Sequence, residues 1–165
     1  MDDMSRLLWR IERVVQVDHS QFVIVDFDEG SDEHCNPPLG QDAGLGVGER
    51  AVRVMSLIGY HEVELDFEVW DGEPGPGKVP PVGEVEILSR YGVVTVEELF
   101  QGHMNHGPIA LGAPGRYRVR VERQCLFPLE ERWQLQHSGR ESGLEKYVVR
   151  TWRVGDLNQG LRWED

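Results

Sequence analysis

Glu62-Val63-Glu64-Leu65-Asp66-Phe67-Glu68-Val69 places a carboxylate and an apolar side chain in strict alternation. In an extended chain, successive side chains point to opposite faces, so this octet has one wet face and one dry face. A helix would scatter both sets around its circumference. The octet therefore predicts a half-buried strand. A second stretch repeats the pattern with the opposite charge: Arg116, Arg118 and Arg120 alternate with Tyr117, Val119 and Val121. If the two strands are neighbours, their wet faces form a ladder of opposite charges. Each cross-strand pair is then worth about 0.2–1 kcal/mol, and less at high salt. The strands 62–69 and 116–121 are accordingly expected to be adjacent and antiparallel.

Working outward, the same period-two reading applies to most of the chain. Val14, Val15 and Val17 precede the polar group Asp18-His19-Ser20-Gln21, and Phe22–Phe27 is aromatic and β-branched, which suits a strand. Further strands are expected over 51–58, 84–88, 92–97 and 145–154, with Tyr91-Gly92 at a turn. Residues 4–13 read either as a short helix capped by Ser5 or as the lead into a first strand. Residues 28–50 and 71–83 are rich in Gly and Pro, which excludes helix and central strand and predicts long loops. Another loop is expected at 101–108 and a turn at 112–115, with one helical turn over 128–134. Seven to nine short strands with little helix, and no alternating βαβα order, predict an all-β fold. The expected form is an antiparallel β-sandwich spanning 1–165 as a single domain, with a barrel as the other closure.

The composition excludes several functions. At 165 residues the chain has room for one domain with a substantial core. No run approaches the ~18–20 apolar residues of a membrane helix. Met1-Asp2-Asp3-Met4-Ser5-Arg6 lacks the basic-then-apolar order of a signal peptide. Two cysteines, Cys35 and Cys125, give no disulfide framework, and a reducing cytoplasm is the expected compartment. The formal net charge is −12, from 29 acids and 17 bases. That balance argues against direct binding of nucleic acid or anionic membranes. The acids concentrate around residues 1–35 and 61–100, which reads either as solubility with internal charge pairing or as a surface for a basic partner.

Known chemical motifs largely fail. Counting Asp26 as position 1 of a calcium loop puts Ser31 where the turn glycine belongs and Pro37 where a bidentate Glu is needed. His34, Cys35, His103, His106 and Cys125 lack the paired short spacings of a zinc site. Gly44, Gly46 and Gly48 are followed by Glu49 where a dinucleotide fingerprint needs its third glycine. No phosphate loop and no nucleophile elbow is present. Neither cysteine has neighbours that would activate it, and Cys125 is expected to pack in the core or at an edge. No metal and no cofactor is therefore expected. His19 beside Asp18 reads either as a site residue or as part of a turn. Trp70 and Trp152 are expected in the core, while Trp133 and Trp163, in polar surroundings, read either as core or edge residues or as an exposed contact surface.

His19-Ser20-Gln21-Phe22 with Ile24 and Asp26, the alternating 62–69 strand, and Gly115-Arg116-Tyr117-Arg118-Val119 together resemble the small bacterial competence-associated nuclease-inhibitor family. The resemblance spans residues 15–153. The loops 28–50 and 72–83 have no counterpart in it. It implies a β-sandwich-like strand order and a non-enzymatic protein that binds and silences a nuclease. It assigns no role to any single residue. The leading expectation is an acidic binding or inhibitory module for a basic protein, a nuclease or toxin, contacted through Asp26, Asp28, Glu29, Asp32 and Glu33. A second reading is a small-ligand-binding or metal-assisted hydrolytic β-sandwich or barrel, with His19, His103 and His106 near a pocket. A third is a structural domain with neither property.

Overall fold

The computed structural model describes residues 4–27, 44–98 and 107–158. In chain order the elements are β1 (Leu7–Asp18), β2 (Gln21–Asp26), β3 (Leu45–Val47), β4 (Ala51–Met55), β5 (Tyr60–Trp70), β6 (Pro81–Ser89), β7 (Val93–Glu97), β8 (Ile109–Ala110), β9 (Gly115–Cys125), α1 (Leu129–His137) and β10 (Ser142–Gly155). The all-β expectation holds, but the sandwich does not. The strands form one sheet in the order β3-β4-β2-β1-β5-β10-β9-β6, with β7 bridging β2 and β8. The sheet curls until its ends meet. Leu88 N donates to Glu49 O at 2.9 Å, and a Cβ at Gly83 in β6 would stand 2.9 Å from the Leu45 side chain of β3. The result is a nearly closed barrel around one core. Strand alternation defines which face is dry, but not whether the dry face meets a second sheet or its own far edge; that depends on long-range pairing.

The charge ladder also takes a different form. β10 lies between β5 and β9, parallel to β5 and antiparallel to β9. The two alternating strands run antiparallel within one sheet but are not neighbours. The connection through α1 returns the chain so that β10 enters the gap. Its cations complete the acidic ladder: Lys146 lies 3.1 Å from Asp66 and Arg150 2.8 Å from Glu68. On the other side of β5, Arg10 of β1 reaches Asp66 at 2.5 Å. The β9 arginines turn instead to β6, with Arg116 on Glu86 and Arg120 on Glu84, both at 2.8 Å.

The dry faces behave as the alternation requires. Val63, Leu65, Phe67 and Val69 of β5, and Tyr117, Val119 and Val121 of β9, are all buried. Each fully buried side chain of this size contributes about 1.5–3 kcal/mol. Phe22 meets Tyr147 edge to face, with ring centroids 5.3 Å apart. Residues 4–13 resolve to strand, since β1 pairs with β5 along its length, from Leu7 opposite Trp70 to Asp18 opposite Tyr60. Part of the expected loop 28–50 is strand β3, which pairs with β4. The single helical turn extends to the nine-residue α1. Trp152 is buried as expected, whereas Cys125 is exposed at the end of β9.

Candidate functional site

Asp26 ends β2 with its carboxylate fully enclosed. Arg50 Nε donates to its Oδ2 at 2.9 Å, Ser89 Oγ to its Oδ1 at 3.0 Å, and Arg90 N to both oxygens at 3.1 Å. The Arg50 guanidinium also lies 2.8 Å away, and the Asp26 side chain has no exposure. A carboxylate held by this many donors anchors the chain rather than meeting a partner. It ties position 26 to position 50. Asp28, Glu29, Asp32 and Glu33 lie outside the described residues, as do His103 and His106.

His19 is exposed at the β1–β2 turn, its Nδ1 3.1 Å from Asp18. His19 and Ser20 both have positive φ, 49° and 63°, which a two-residue hairpin between right-twisted strands demands. The turn is fixed from below. Ser20 N donates to Gly59 O at 2.9 Å and Ser56 N to Ser20 O at 2.7 Å. The turn reading of this group therefore describes its geometry.

The loop 56–59 that supports this turn also supports α1. Trp133 Nε1 donates to Leu57 O at 3.1 Å, and Gln136 Nε2 to Tyr60 O at 2.9 Å. This end of the barrel presents Leu57 (39% exposed), Tyr60 (38%) and Trp133 (46%) together. Carboxylates surround them. Glu130 and Glu131 lie in the first turn of α1. Glu62 N donates to Glu141 O at 2.6 Å, which brings those two acids beside Tyr60.

Directly beneath lies a buried polar cluster. Ser56 Oγ donates to Glu145 Oε2 at 2.8 Å and accepts from Ile58 N at 3.1 Å. Tyr147 OH donates to the same Glu145 oxygen at 2.8 Å, and Arg132 of α1 grips the other. His61 Nε2 stands 3.1 Å from Ser56 Oγ. With the only Ser56 proton directed to Glu145, the network assigns the His61 proton to Nε2, leaving Nδ1 without a partner. Burial lowers the His61 pKa; Glu145 opposes that shift and Arg132 adds to it. Burial, then the Glu145 carboxylate, push the Tyr147 hydroxyl up, which keeps it a donor. Ser, His and Glu side by side suggest a nucleophilic triad, but the geometry does not match one. The acid contacts the serine rather than the far histidine nitrogen, and His61 and Glu145 have no exposure. The cluster locks α1 onto β5 and β10.

The His61 state has a measurable consequence. The folded protein holds the ring neutral, while the unfolded chain takes a proton near its ordinary value of 6.5. Above that pH His61 adds no pH dependence. Below it, stability falls with a slope of up to about 1.4 kcal/mol per pH unit, until the lower folded pKa is reached. Urea unfolding between about pH 7.5 and pH 5.5 should show a smaller acid loss for His61→Gln than for the native chain. Parallel pH profiles would show that the ring does not enter the fold neutral.

A groove follows the Pro/Gly strap 73–81, with Glu84, Arg120 and Glu122 as its floor. The charged groups of its floor are already engaged within the chain. Arg120 donates to Glu84 at 2.8 Å, Glu73 at 3.0 Å and Pro74 O at 3.1 Å, and stacks over Trp152 at 4.9 Å. Glu122 is 1% exposed because Gly77 lies against it; a Cβ there would overlap the carboxylate. The groove is the joint that fastens the strap to β9 and β10.

Sequence reasoning marked His19 and Trp133, and the structure sets both on the same loop. It missed Ser56, His61, Arg132, Glu145 and Tyr147. Parity offered two signals: His61 shares the inward phase of Val63, Leu65, Phe67 and Val69, and Glu145 that of Tyr147 and Val149.

This architecture defines a class, all-β proteins built from one large mixed sheet curled nearly into a barrel. Two solved structures share it. One is ComJ from Bacillus subtilis, described as an inhibitor of the DNA degrading activity of NucA. It matches with a TM-score of 0.57 at 13% identity, over 92% of this chain and 99% of that one. The other is the crocagin biosynthetic gene J protein, with a TM-score of 0.56 at 14% identity, over 88% and 97% of the two chains. No family model matches the chain, and no curated protein matches it in sequence. At these identities the likeness concerns the fold.

Proposed function

We propose that this protein is a non-enzymatic cytoplasmic binding module that inhibits a basic protein, with a DNA-degrading nuclease as the partner class. The observation that carries the reading is the fate of its cations. Arg10, Arg50, Arg116, Arg120, Arg132 and Arg150 are each held against a carboxylate of the same chain. With 29 acids against 17 bases, the charge left to face outward is negative. A nuclease must present a cationic groove to bind phosphates, so an anionic protein competes for that groove and is drawn to it. ComJ's role as an inhibitor of a DNA degrading activity and the shared fold support the nuclease class. Asp28, Glu29, Asp32 and Glu33 are the proposed steering carboxylates.

Stopped-flow mixing with purified NucA, whose DNA degrading activity ComJ inhibits, tests this. Association should slow about tenfold or more between low and high salt, with much less change in dissociation. Neutralising the four loop acids to amides should slow association in low salt. Salt-independent association, or undiminished DNA cleavage at saturating protein, would overturn the reading.

A further inference from the structure

Resting on the reading of a basic partner, we infer that the α1 end of the barrel is the contact surface: Leu57, Tyr60 and Trp133 form its apolar centre and Glu62, Glu130, Glu131 and Glu141 its anionic rim. It fits a protein face carrying apolar side chains ringed by Arg or Lys. Long-range steering needs no contact, so the steering role proposed for Asp28, Glu29, Asp32 and Glu33 does not compete with this assignment. Tight binding needs a desolvated centre, and aromatic residues dominate such centres.

Three features select this place. The first is that the apolar groups are fixed. Trp133 gives its N–H to Leu57 O at 3.1 Å, so what the ring offers outward is its apolar surface. Gln136 holds Tyr60 O at 2.9 Å. The second is the rigid floor. Arg132, Glu145, Ser56 and Tyr147 bond the helix and strands together beneath the patch. A patch already ordered loses little conformational freedom on binding. The third is charge. Of the cations nearby, Arg132 is buried on Glu145, Arg123 gives an N–H to Met55 O at 3.0 Å, and Arg140 stacks over Phe127 at 5.2 Å. Four rim carboxylates therefore repel a nucleic acid or a second copy of this chain and attract cationic side chains.

Two measurements separate this surface from the function on which it rests. In the first, a short Arg/Leu amphipathic helical peptide is titrated into the isotopically labelled full chain. Amide shifts should concentrate at 57–60, 130–133 and 141. Shifts centred on Glu12 and Glu64, shifts spread evenly, or no binding would each overturn the surface. In the second, NucA cleavage of plasmid DNA is measured with the native chain, Trp133→Ala, E130K/E131K and the control Glu64→Lys. The α1-end variants should raise the half-inhibitory concentration at least tenfold, and Glu64→Lys less than twofold. Equal potency of all four overturns the surface while leaving the inhibitor reading intact. Absence of inhibition by the native chain, with the peptide at the α1 end, overturns NucA-type inhibition and leaves the surface standing. Matching amide spectra of the free variants guard against misfolding.

Discussion

Replacing Arg132 by methionine should lower the free energy of unfolding by about 3–5 kcal/mol, read as a fall in the urea midpoint. The Glu145 side chain has no exposure. With Arg132 gone, its charge retains the hydroxyls of Ser56 and Tyr147, each at 2.8 Å, and Arg123 as a nearby charge. Without the guanidinium bonded to it, the desolvation of the carboxylate is no longer offset. The cost comes from the charge left behind rather than from any large net gain of the pair. Taking both charges away together, Arg132→Met with Glu145→Leu, should therefore recover at least half of the loss. A single-variant loss under about 1 kcal/mol would mean that water or Arg123 takes over the Glu145 charge. The same variant should weaken partner binding, because Arg132 holds the helix that carries Trp133. Comparing binding by Arg132→Met and by the double variant tells whether that effect follows the loose helix or the lost charge.

How much of this was legible in the sequence depends on the range of the interaction involved. Alternation over 62–69 is local, and it placed Val63, Leu65, Phe67 and Val69 inside without error. The positive φ of Gly92 was implicit in Tyr91-Gly92 as a turn. What failed was pairing. Arg116, Arg118 and Arg120 looked complementary to Glu62–Glu68, yet charge complementarity is degenerate: β10 offers Lys146 and Arg150, and β6 offers Glu84 and Glu86. Which ladder forms depends on where the α1 connection returns the chain. The same degeneracy hid the closure of the sheet. Glu122 was illegible for a related reason: it has the outward phase of Arg116, Arg118 and Arg120 and is buried only because the strap crosses it. Glu145 shares the inward phase of Tyr147 and Val149, so alternation marks its burial, but not the Arg132 that α1 brings to it. Asp26 read as the first of a run of surface acids, but its position at a strand end, within reach of Arg50 and the Ser89–Arg90 backbone, makes it an anchor.

Gly92→Ala should cost about 2–4 kcal/mol. Gly92 has φ +68°, and a Cβ there would stand 1.9 Å from the carbonyl oxygen of Gly112. Two separate penalties meet at this position. The left-handed backbone alone costs a residue with a side chain about 1–2 kcal/mol. The overlap adds to it, because the obstacle is main chain and no rotamer change clears it. Nor is the backbone free to move aside. Gly92 O accepts from Leu111 N at 2.7 Å and Gly112 N at 3.3 Å, and Tyr117 OH donates to Ala113 O at 2.5 Å. These bonds press the turn before β7 onto the turn before β9. Asparagine tolerates the left-handed region better than alanine but carries the same Cβ. If conformation alone sets the cost, Gly92→Asn should recover most of it; if contact dominates, as the 1.9 Å approach requires, both variants should be unstable. Gly75 provides the control: a Cβ there meets nothing within 4 Å, so Gly75→Ala should change stability by less than about 0.5 kcal/mol. Similar urea midpoints for Gly92→Ala and Gly75→Ala would show that the two turns are not in contact, and would open the barrel at the end where β7 and β8 join it.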